Sequence, residues 1–362
     1  MRTPEPNKGE KAIPAARIPS LDGWRGIAIL LVLASHTAIA FRHIIYVPHV
    51  DAIGQHGVAI FFVLSGFLIT RLLVSEEQTN GKIDLRGFYV RRFFRLAPCA
   101  WVYLAVLIAI YSGVQHKPFT TTDIAGCLLF FRNFIDTTGL HASATGHFWS
   151  LSIEEQFYLF WPFILLFAGA KRCRWICLIG ALFIALYRFQ HWGQLSQLPL
   201  QATFGTQYRA DSLLIGCAAA LWLRDLEPYL RKWMILPLFF ALVACMVTYG
   251  QLIPIRESVV VALLLAITSM ESRSSVTSSL DWMPLRTIGK YSYSLYIWQQ
   301  LLLLTRWPTH ILLAELVLLP VLAAASYNFL EQPIRRYGAE LAERLAGART
   351  RLHRTHACIE NA

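Results

Sequence analysis

The chain has 362 residues, 56% of them hydrophobic and only 15% charged, with a formal net charge of +11. Its apolar residues fall in long blocks instead of at amphipathic spacing, which is the pattern of a polytopic membrane protein and leaves no room for a sizeable soluble domain. In such a protein an excess of Lys and Arg records the cytoplasmic bias of basic residues, so no nucleic-acid partner follows from the charge.

The composition predicts an all-α fold, a polytopic membrane helix bundle of about ten spanning helices plus one short re-entrant or interfacial segment. Residues 1–20 read as a cytoplasmic N-terminal segment, 21–337 as the membrane domain and 338–362 as a basic cytoplasmic tail. Candidate spans lie at about 26–44, 57–74, 96–112, 149–169, 174–189, 210–223, 233–250, 257–270, 287–305 and 308–330. No small-residue cleavage pattern follows the first run, so it reads as a retained span.

The first span carries Arg25 and, eleven residues on, His36. An ionisable group at mid-membrane costs about 2.5–3.5 kcal/mol on insertion scales, and eleven residues of helix place His36 about 16 Å beyond Arg25, near the middle of a ~30 Å core. Two roles fit: an inter-helix hydrogen bond, or a general base taking a proton from a hydroxyl. In the second span, Gly54 to Phe67 combines small residues with Phe61 and Phe62 and reads as a close-packing surface. At the mouth of the third, the stretch from Phe88 to Pro98 places Arg92 and Arg95 on one helical face, where they can grip phosphate oxygens or serve only to orient the chain.

A short segment at about 124–134 bears Asp123 and Arg132 near its ends and decides the topology. If it does not cross, both termini are cytoplasmic and 26 of the 33 basic residues face inward. If it crosses, the last four basic groups face outward against the bias. The non-crossing reading is therefore preferred. The fourth span opens with Gly146-His147-Phe148-Trp149-Ser150-Leu151-Ser152-Ile153-Glu154-Glu155-Gln156-Phe157-Tyr158. Glu154 falls about 21 Å from the inner face, within a turn of the depth of His36. It is expected either to orient that imidazole or to pair with another intramembrane cation. Ser150 and Tyr158 share its face, and with His147 they are candidate substrate contacts. Arg209 and Asp211, entering the sixth span, either hold a polar substrate or pair internally.

Seven cysteines, an odd number lying almost entirely in apolar runs, argue against a disulfide framework. Cys173 and Cys177 are one turn apart without an accompanying His or carboxylate, so no metal site is expected. The ninth span reads Tyr291-Ser292-Tyr293-Ser294-Leu295-Tyr296-Ile297-Trp298-Gln299-Gln300, hydroxyls and rings that suit a sugar site or an interfacial belt. After Glu331-Gln332-Pro333, apolar residues at helical spacing among arginines leave the tail either on the inner membrane surface or flexible. No inverted repeat is visible, which weighs against transport.

Together these segments resemble the acyltransferase-3 family of integral membrane O-acyltransferases, from about Ser20 to Tyr337. The likeness rests on the Arg-x10-His first span, Phe-Phe-Val-Leu-Ser-Gly-Phe, the Arg-x-x-Arg mouth, Trp-Ser-Leu-x-x-Glu-x-x-Phe-Tyr, Tyr-Ser-Tyr-Ser-Leu-Tyr and Glu-x-Pro, in this order. The resemblance implies transfer of an acyl group, usually acetyl from acetyl-coenzyme A as co-substrate with no permanently bound cofactor, to a hydroxyl of a carbohydrate or glycoside acceptor. It implies that His36 is the essential histidine and Arg25 its paired arginine, that Arg92 and Arg95 serve the donor side, and that Glu154 is the motif carboxylate. Two positions depart from the family pattern: Gln299 replaces a frequent histidine, and Ala59 a frequent aspartate. Some members append a soluble esterase-like domain. None is read here, so the expectation is that the membrane domain completes the reaction or hands its product on. The expected location is the bacterial inner membrane. A proton-coupled transporter or exporter of a glycan precursor is the alternative, and the sequence leaves open the oligomeric state, the acceptor, acetyl against a longer acyl donor, and whether His36 acts as general base or as covalent acyl carrier.

Overall fold

The structure, a computed structural model, describes residues 18–42, 44, 50–113, 119–135, 144–195, 203–247, 253–270, 275–303 and 309–360. Among the described residues every regular element is helical and there is no strand. Helix α1 (Pro19–Ala40) opens with proline at its start and Asp22 in its first turn, which suits unpaired backbone N–H groups and the positive end of the helix dipole. Like α2 (Val50–Asn80) and α3 (Leu85–Gly113), it extends beyond its expected span on the side of α1's start, α2's end and α3's start. Hydropathy marks the part of a helix in apolar surroundings and is blind to polar turns that continue it, so the arginines from Arg86 to Arg95 sit on helix, not in a connection.

Helix α4 (Thr121–Leu128) is capped by the Thr120 hydroxyl, which accepts from the Asp123 backbone N–H. Eight residues reach only about 12 Å, short of a ~30 Å core. The expected 124–134 segment is not one helix: Phe130, with φ 54°, breaks it before a tight turn at Arg132–Phe134. Helix α5 (Phe148–Gln190) reverses at Gly169, whose φ of 73° lies in the left-handed region that favours glycine. The Cys173 thiol lies 3.6 Å from the Ile164 carbonyl, whereas nine residues of straight helix would separate them by about 13 Å. The two limbs are thus antiparallel.

The remaining helices of eight residues or more among the described residues are α6 (Asp211–Leu226), α7 (Ile235–Val247), α8 (Ile253–Met270), α9 (Met283–Lys290), α10 (Ser292–Leu303), α11 (Thr309–Ala325) and α12 (Gln332–Glu360), the last two joined by a π-helical turn at Ser326–Glu331. The expected span at 287–305 is split at Tyr291 into α9 and α10. Just before the split α9 packs closely on α1, where a Cβ on Gly289 would lie 1.8 Å from the Asp22 carbonyl oxygen. The first turns of α12 dock on α3, with Gly338 against the Phe94 ring and Tyr337 meeting that ring edge-on at 5.5 Å.

Among the described residues four helical stretches, Pro19–Ala40, Ala52–Asn80, Leu85–Ile110 and Ile311–Ala346, are long and apolar enough to cross a membrane by length and composition. Phe160, Phe167, Ile179 and Phe183 on α5 and Val317 and Val321 on α11 stay exposed, a surface that only lipid or another apolar surface would cover. Inside, three apolar clusters meet around α2: one about Tyr103, Phe148 and Trp298, one about Trp24, Phe67 and Leu265, and one about Tyr158, Trp161 and Leu73. Helices α2 and α6 interlock through reciprocal glycines. A Cβ on Gly66 would meet the Leu213 carbonyl oxygen at 2.0 Å, and one on Gly216 the Val63 carbonyl oxygen at 2.2 Å. Gly216→Leu is therefore expected to abolish the monodisperse protein peak in detergent size-exclusion chromatography, because both obstacles are backbone and cannot rotate away.

Candidate active site

A cavity of about 490 Å³ opens between α1, α2, α3, α5, α9, α10 and α12. Along α2 its lining runs from Val58 to Ser75, a length of about 25 Å of helix. Six cations face it: Arg25, Arg71, Arg92, Arg95, Lys290 and Arg335. Three carboxylates, Asp22, Glu154 and Glu331, accompany them.

Most of these cations are not paired with the carboxylates beside them. Among the described residues the one ion pair in the lining joins Arg25 Nη1 to Asp22 Oδ1 at 3.3 Å. Glu154 instead accepts from hydroxyls, Ser65 Oγ at 2.8 Å and Tyr158 Oη at 3.4 Å. Glu331, carried into the cavity by the π-helical turn, accepts from Ser294, from Ser326 Oγ at 3.3 Å and from the Cys99 thiol at 3.6 Å, all at Oε1. The Arg92 guanidinium lies 3.7 Å above the centre of the Tyr158 ring, a cation–π contact that leaves its charge uncancelled. Outside the cavity the pattern differs. Arg91 pairs with Glu76 at 3.7 Å, Arg174 with Asp225, and Arg344 with Glu340 at 3.8 Å.

His36 and His147 lie beyond the lining, toward the far end of the bundle. His36 Nδ1 is 3.0 Å from Gln299 Oε1, a spacing at which Nδ1–H can donate to the amide oxygen. The two groups expected to meet by depth, His36 and Glu154, are each held by another partner: the amide on α10 orients the imidazole, and Glu154 holds Tyr158 beneath Arg92. Gln300, the next residue, binds His147 in the same way. Its Oε1 accepts both the His147 backbone N–H at 3.1 Å and Nδ1–H at 2.8 Å. Because a backbone N–H can only donate, that amide atom is the oxygen, and Nδ1 of His147 carries a proton. Ser150 and Tyr296 face each other at 2.5 Å, and each lies within reach of the His147 carbonyl. Gln299 is one helical turn beyond Tyr296 on α10, about 4.5 Å further from the charged mouth.

Arg25, Arg92, Arg95, Ser150, Glu154 and Tyr158 thus share one cavity. Arg209 and Asp211 belong elsewhere and do not pair with each other. Asp211 is fully buried and takes Arg188 at 2.8 Å. Arg209 donates to Gln55 Oε1 at 2.9 Å and sits over Trp149 and Phe204, whose rings stack at 4.2 Å. His56, the residue after Gln55 on α2, forms a buried pair with Glu257 at 2.8 Å. Sequence reasoning missed Arg71, Lys290 and Arg335, which were absorbed into the count of cytoplasmic charges, and the role of the two glutamines. Consecutive amides in an otherwise apolar run were the available signal for the latter.

A helical bundle with apolar outer faces and a charged cavity reaching into its interior is the frame of an integral membrane enzyme or carrier. Residues 18–327 match the acyltransferase domain model of the acyltransferase-3 family, and the chain belongs to that family as a multi-pass membrane protein. It is 30% identical over 366 residues to a putative peptidoglycan O-acetyltransferase, YrhL, of Bacillus subtilis, covering 89% of this chain and 55% of the relative. It is 29% identical over 376 residues to the peptidoglycan O-acetyltransferase OatA of Listeria monocytogenes, covering 89% and 56%. Against the O-acetyltransferase OatA of Staphylococcus aureus it is 28% identical over 382 residues, covering 93% and 60%. The chain spans little more than half the length of these curated relatives. No solved structure matches it.

Gln300→Leu leaves two buried N–H groups of His147 without their acceptor, a loss of about 1–3 kcal/mol for each. The expected outcome is a clear fall in the melting temperature of the detergent-solubilised protein, read by intrinsic fluorescence, with Gln300→Glu falling less because it keeps an acceptor.

Proposed function

We propose that the protein is a ten-span O-acetyltransferase with both termini in the cytoplasm, which takes acetyl from acetyl-coenzyme A and places it on a hydroxyl of peptidoglycan glycan. The observation that carries this is the set of unpaired cations in the cavity. Five of the six have no ion-pair partner among the described residues, while Glu154 and Glu331 beside them accept from hydroxyls. Such a site is electrostatically incomplete until it binds a polyanion, and the phosphates of coenzyme A meet that requirement. The ten-span reading draws support from the short α4, from the reversal at Gly169, and from the 26 of 33 basic residues it places inside. The acceptor class rests on what the relatives are named for.

In this reading Arg92 and Arg95 hold the donor phosphates, Arg25 completes the cluster, and the pantetheine arm follows the cavity along α2 away from the charges. The thioester then lies near the Ser150–Tyr296 hydroxyls, one turn short of His36. Nε2 of His36 takes the acceptor hydroxyl proton as that oxygen attacks the thioester carbonyl, the carbon–sulfur bond breaks, and the imidazolium returns the proton to the departing thiolate. Gln299 keeps the proton on Nδ1 so that Nε2 remains the base. Glu154 acts as a positioning residue by fixing Tyr158 under Arg92.

Binding of radiolabelled acetyl-coenzyme A to purified protein and mass spectrometry of cell-wall fragments test the two halves separately. His36→Ala is expected to bind donor normally and leave no added acetyl group on the glycan. Paired Arg92→Gln and Arg95→Gln substitution is expected to weaken donor binding by about 100-fold or more, since each removes a hydrogen bond between charged groups. Normal acetylation by His36→Ala, or donor binding indifferent to both arginines, would overturn the assignment.

A further inference from the structure

The motif around Phe61 and Phe62 remains outside this mechanism, yet both rings line the cavity at the end opposite its charges. On each of three helices the lining residues furthest from the arginines are uncharged: Val58, Phe61 and Phe62 on α2, Ser150 and Leu151 on α5, and Tyr296 on α10. The cavity is therefore polarised along its length, cationic at the mouth and apolar at the apex except for one hydroxyl pair. That is the profile of a ligand with an anionic head and a short apolar end.

The apex wall is braced from behind. Phe61 meets Tyr296 edge-on at 6.3 Å, and Tyr296 is tied to Ser150. Phe62 meets Trp149 edge-on at 5.9 Å, and Trp149 is stacked on Phe204 at 4.2 Å with Arg209 over both rings. Val58, Phe62 and Leu151 are themselves almost fully buried. A wall of interlocked rings at interior packing density does not swell to admit extra methylenes without displacing several groups together.

We infer that the apex formed by Val58, Phe61, Phe62, Leu151 and Tyr296 is an acyl pocket, and that its braced aromatic wall restricts the donor to short acyl thioesters. The inference rests on the coenzyme A reading above and adds the residues that set acyl length. Phe61 is the movable part of the ruler: it is only partly buried, and truncating it opens the apex without breaking the Trp149–Phe204 stack. Val58 narrows the apex from the same helix, about one turn further out.

The test is displacement of radiolabelled acetyl-coenzyme A from the purified full chain by acetyl-, propionyl-, butyryl- and hexanoyl-coenzyme A. Each added methylene that finds no room is expected to weaken binding, so butyryl-coenzyme A should bind the unaltered protein about 10-fold or more weakly than acetyl-coenzyme A. Phe61→Ala and Val58→Ala should each bring butyryl-coenzyme A level with acetyl-coenzyme A, whereas Phe167→Ala on the exposed face of α5 should leave the series unchanged. The ratio within one preparation is independent of how much protein is folded. If Phe61→Ala binds no donor at all, Phe61→Leu and Val58→Ala decide the matter. A flat series in the unaltered protein, or an unchanged series in the apex variants, overturns the acyl pocket. Absence of acetyl-coenzyme A binding by the unaltered protein overturns the donor reading itself, and is a different result.

Discussion

The arrangement of this protein depends on positive charge held inside a helical bundle without its counter-charge. A guanidinium drawn from water loses hydration energy that an adjacent carboxylate ordinarily restores in part. Here Glu154 and Glu331 stand in the same cavity as Arg92 and Arg95 but give their lone pairs to Ser65, Tyr158, Ser294, Ser326 and Cys99. The carboxylates temper the field without collapsing onto the arginines, and the cations stay available to an incoming anion. In the low-dielectric walls of a bundle such a field is stronger and reaches further than at an open surface.

Helix packing makes that field possible. Glycines at 66 and 216 let the backbones of α2 and α6 touch, and Gly289 lets α9 lie directly on α1. Gly66 and Gly216 lie outside the lining of the cavity, whereas Gly289 is part of it, so the packing of α9 on α1 shapes its wall directly. The three apolar clusters surrounding it fix its walls. The result is a graded channel: arginines at the mouth, hydroxyls midway, rings at the apex, and two amide-held imidazoles beyond. Helix α10 orders much of this gradient, since Ser292, Tyr293 and Tyr296 face the cavity while Gln299 and Gln300 take the imidazoles. Two consecutive positions on a helix point about 100° apart, which is how one helix serves two imidazoles.

Much of this is legible along the chain, for a definite reason. An ionisable side chain in an apolar run is expensive, so His36, Glu154 and the Arg92–Arg95 pair announce themselves in one dimension. Lys290, Arg71 and Arg335 do not, because a basic residue at the end of a span is what membrane topology alone would supply. Position along a helix axis is also legible, since helical rise is constant, and it led to the expectation that Glu154 lies within about one turn of the level of His36. Azimuth is not: rise says nothing about which neighbour a side chain faces, and so Gln299, not Glu154, holds the imidazole. The Arg209–Asp211 spacing admitted internal pairing, and the fold gives Asp211 to Arg188 instead, because the second limb of α5 returns beside α6.

The sequence by itself determined the helical class, the membrane setting, the family and the residues that carry unusual charge, because each follows from composition, periodicity or the cost of burying an ion. Only the tertiary structure decided which charges stay unpaired, which amide meets each histidine, and where the apolar end of the cavity lies. Those depend on the rotation and close approach of helices far apart in the chain, such as α1, α2 and α10. That geometry is set by backbone contacts at small residues and by interlocking rings, which leave no linear trace.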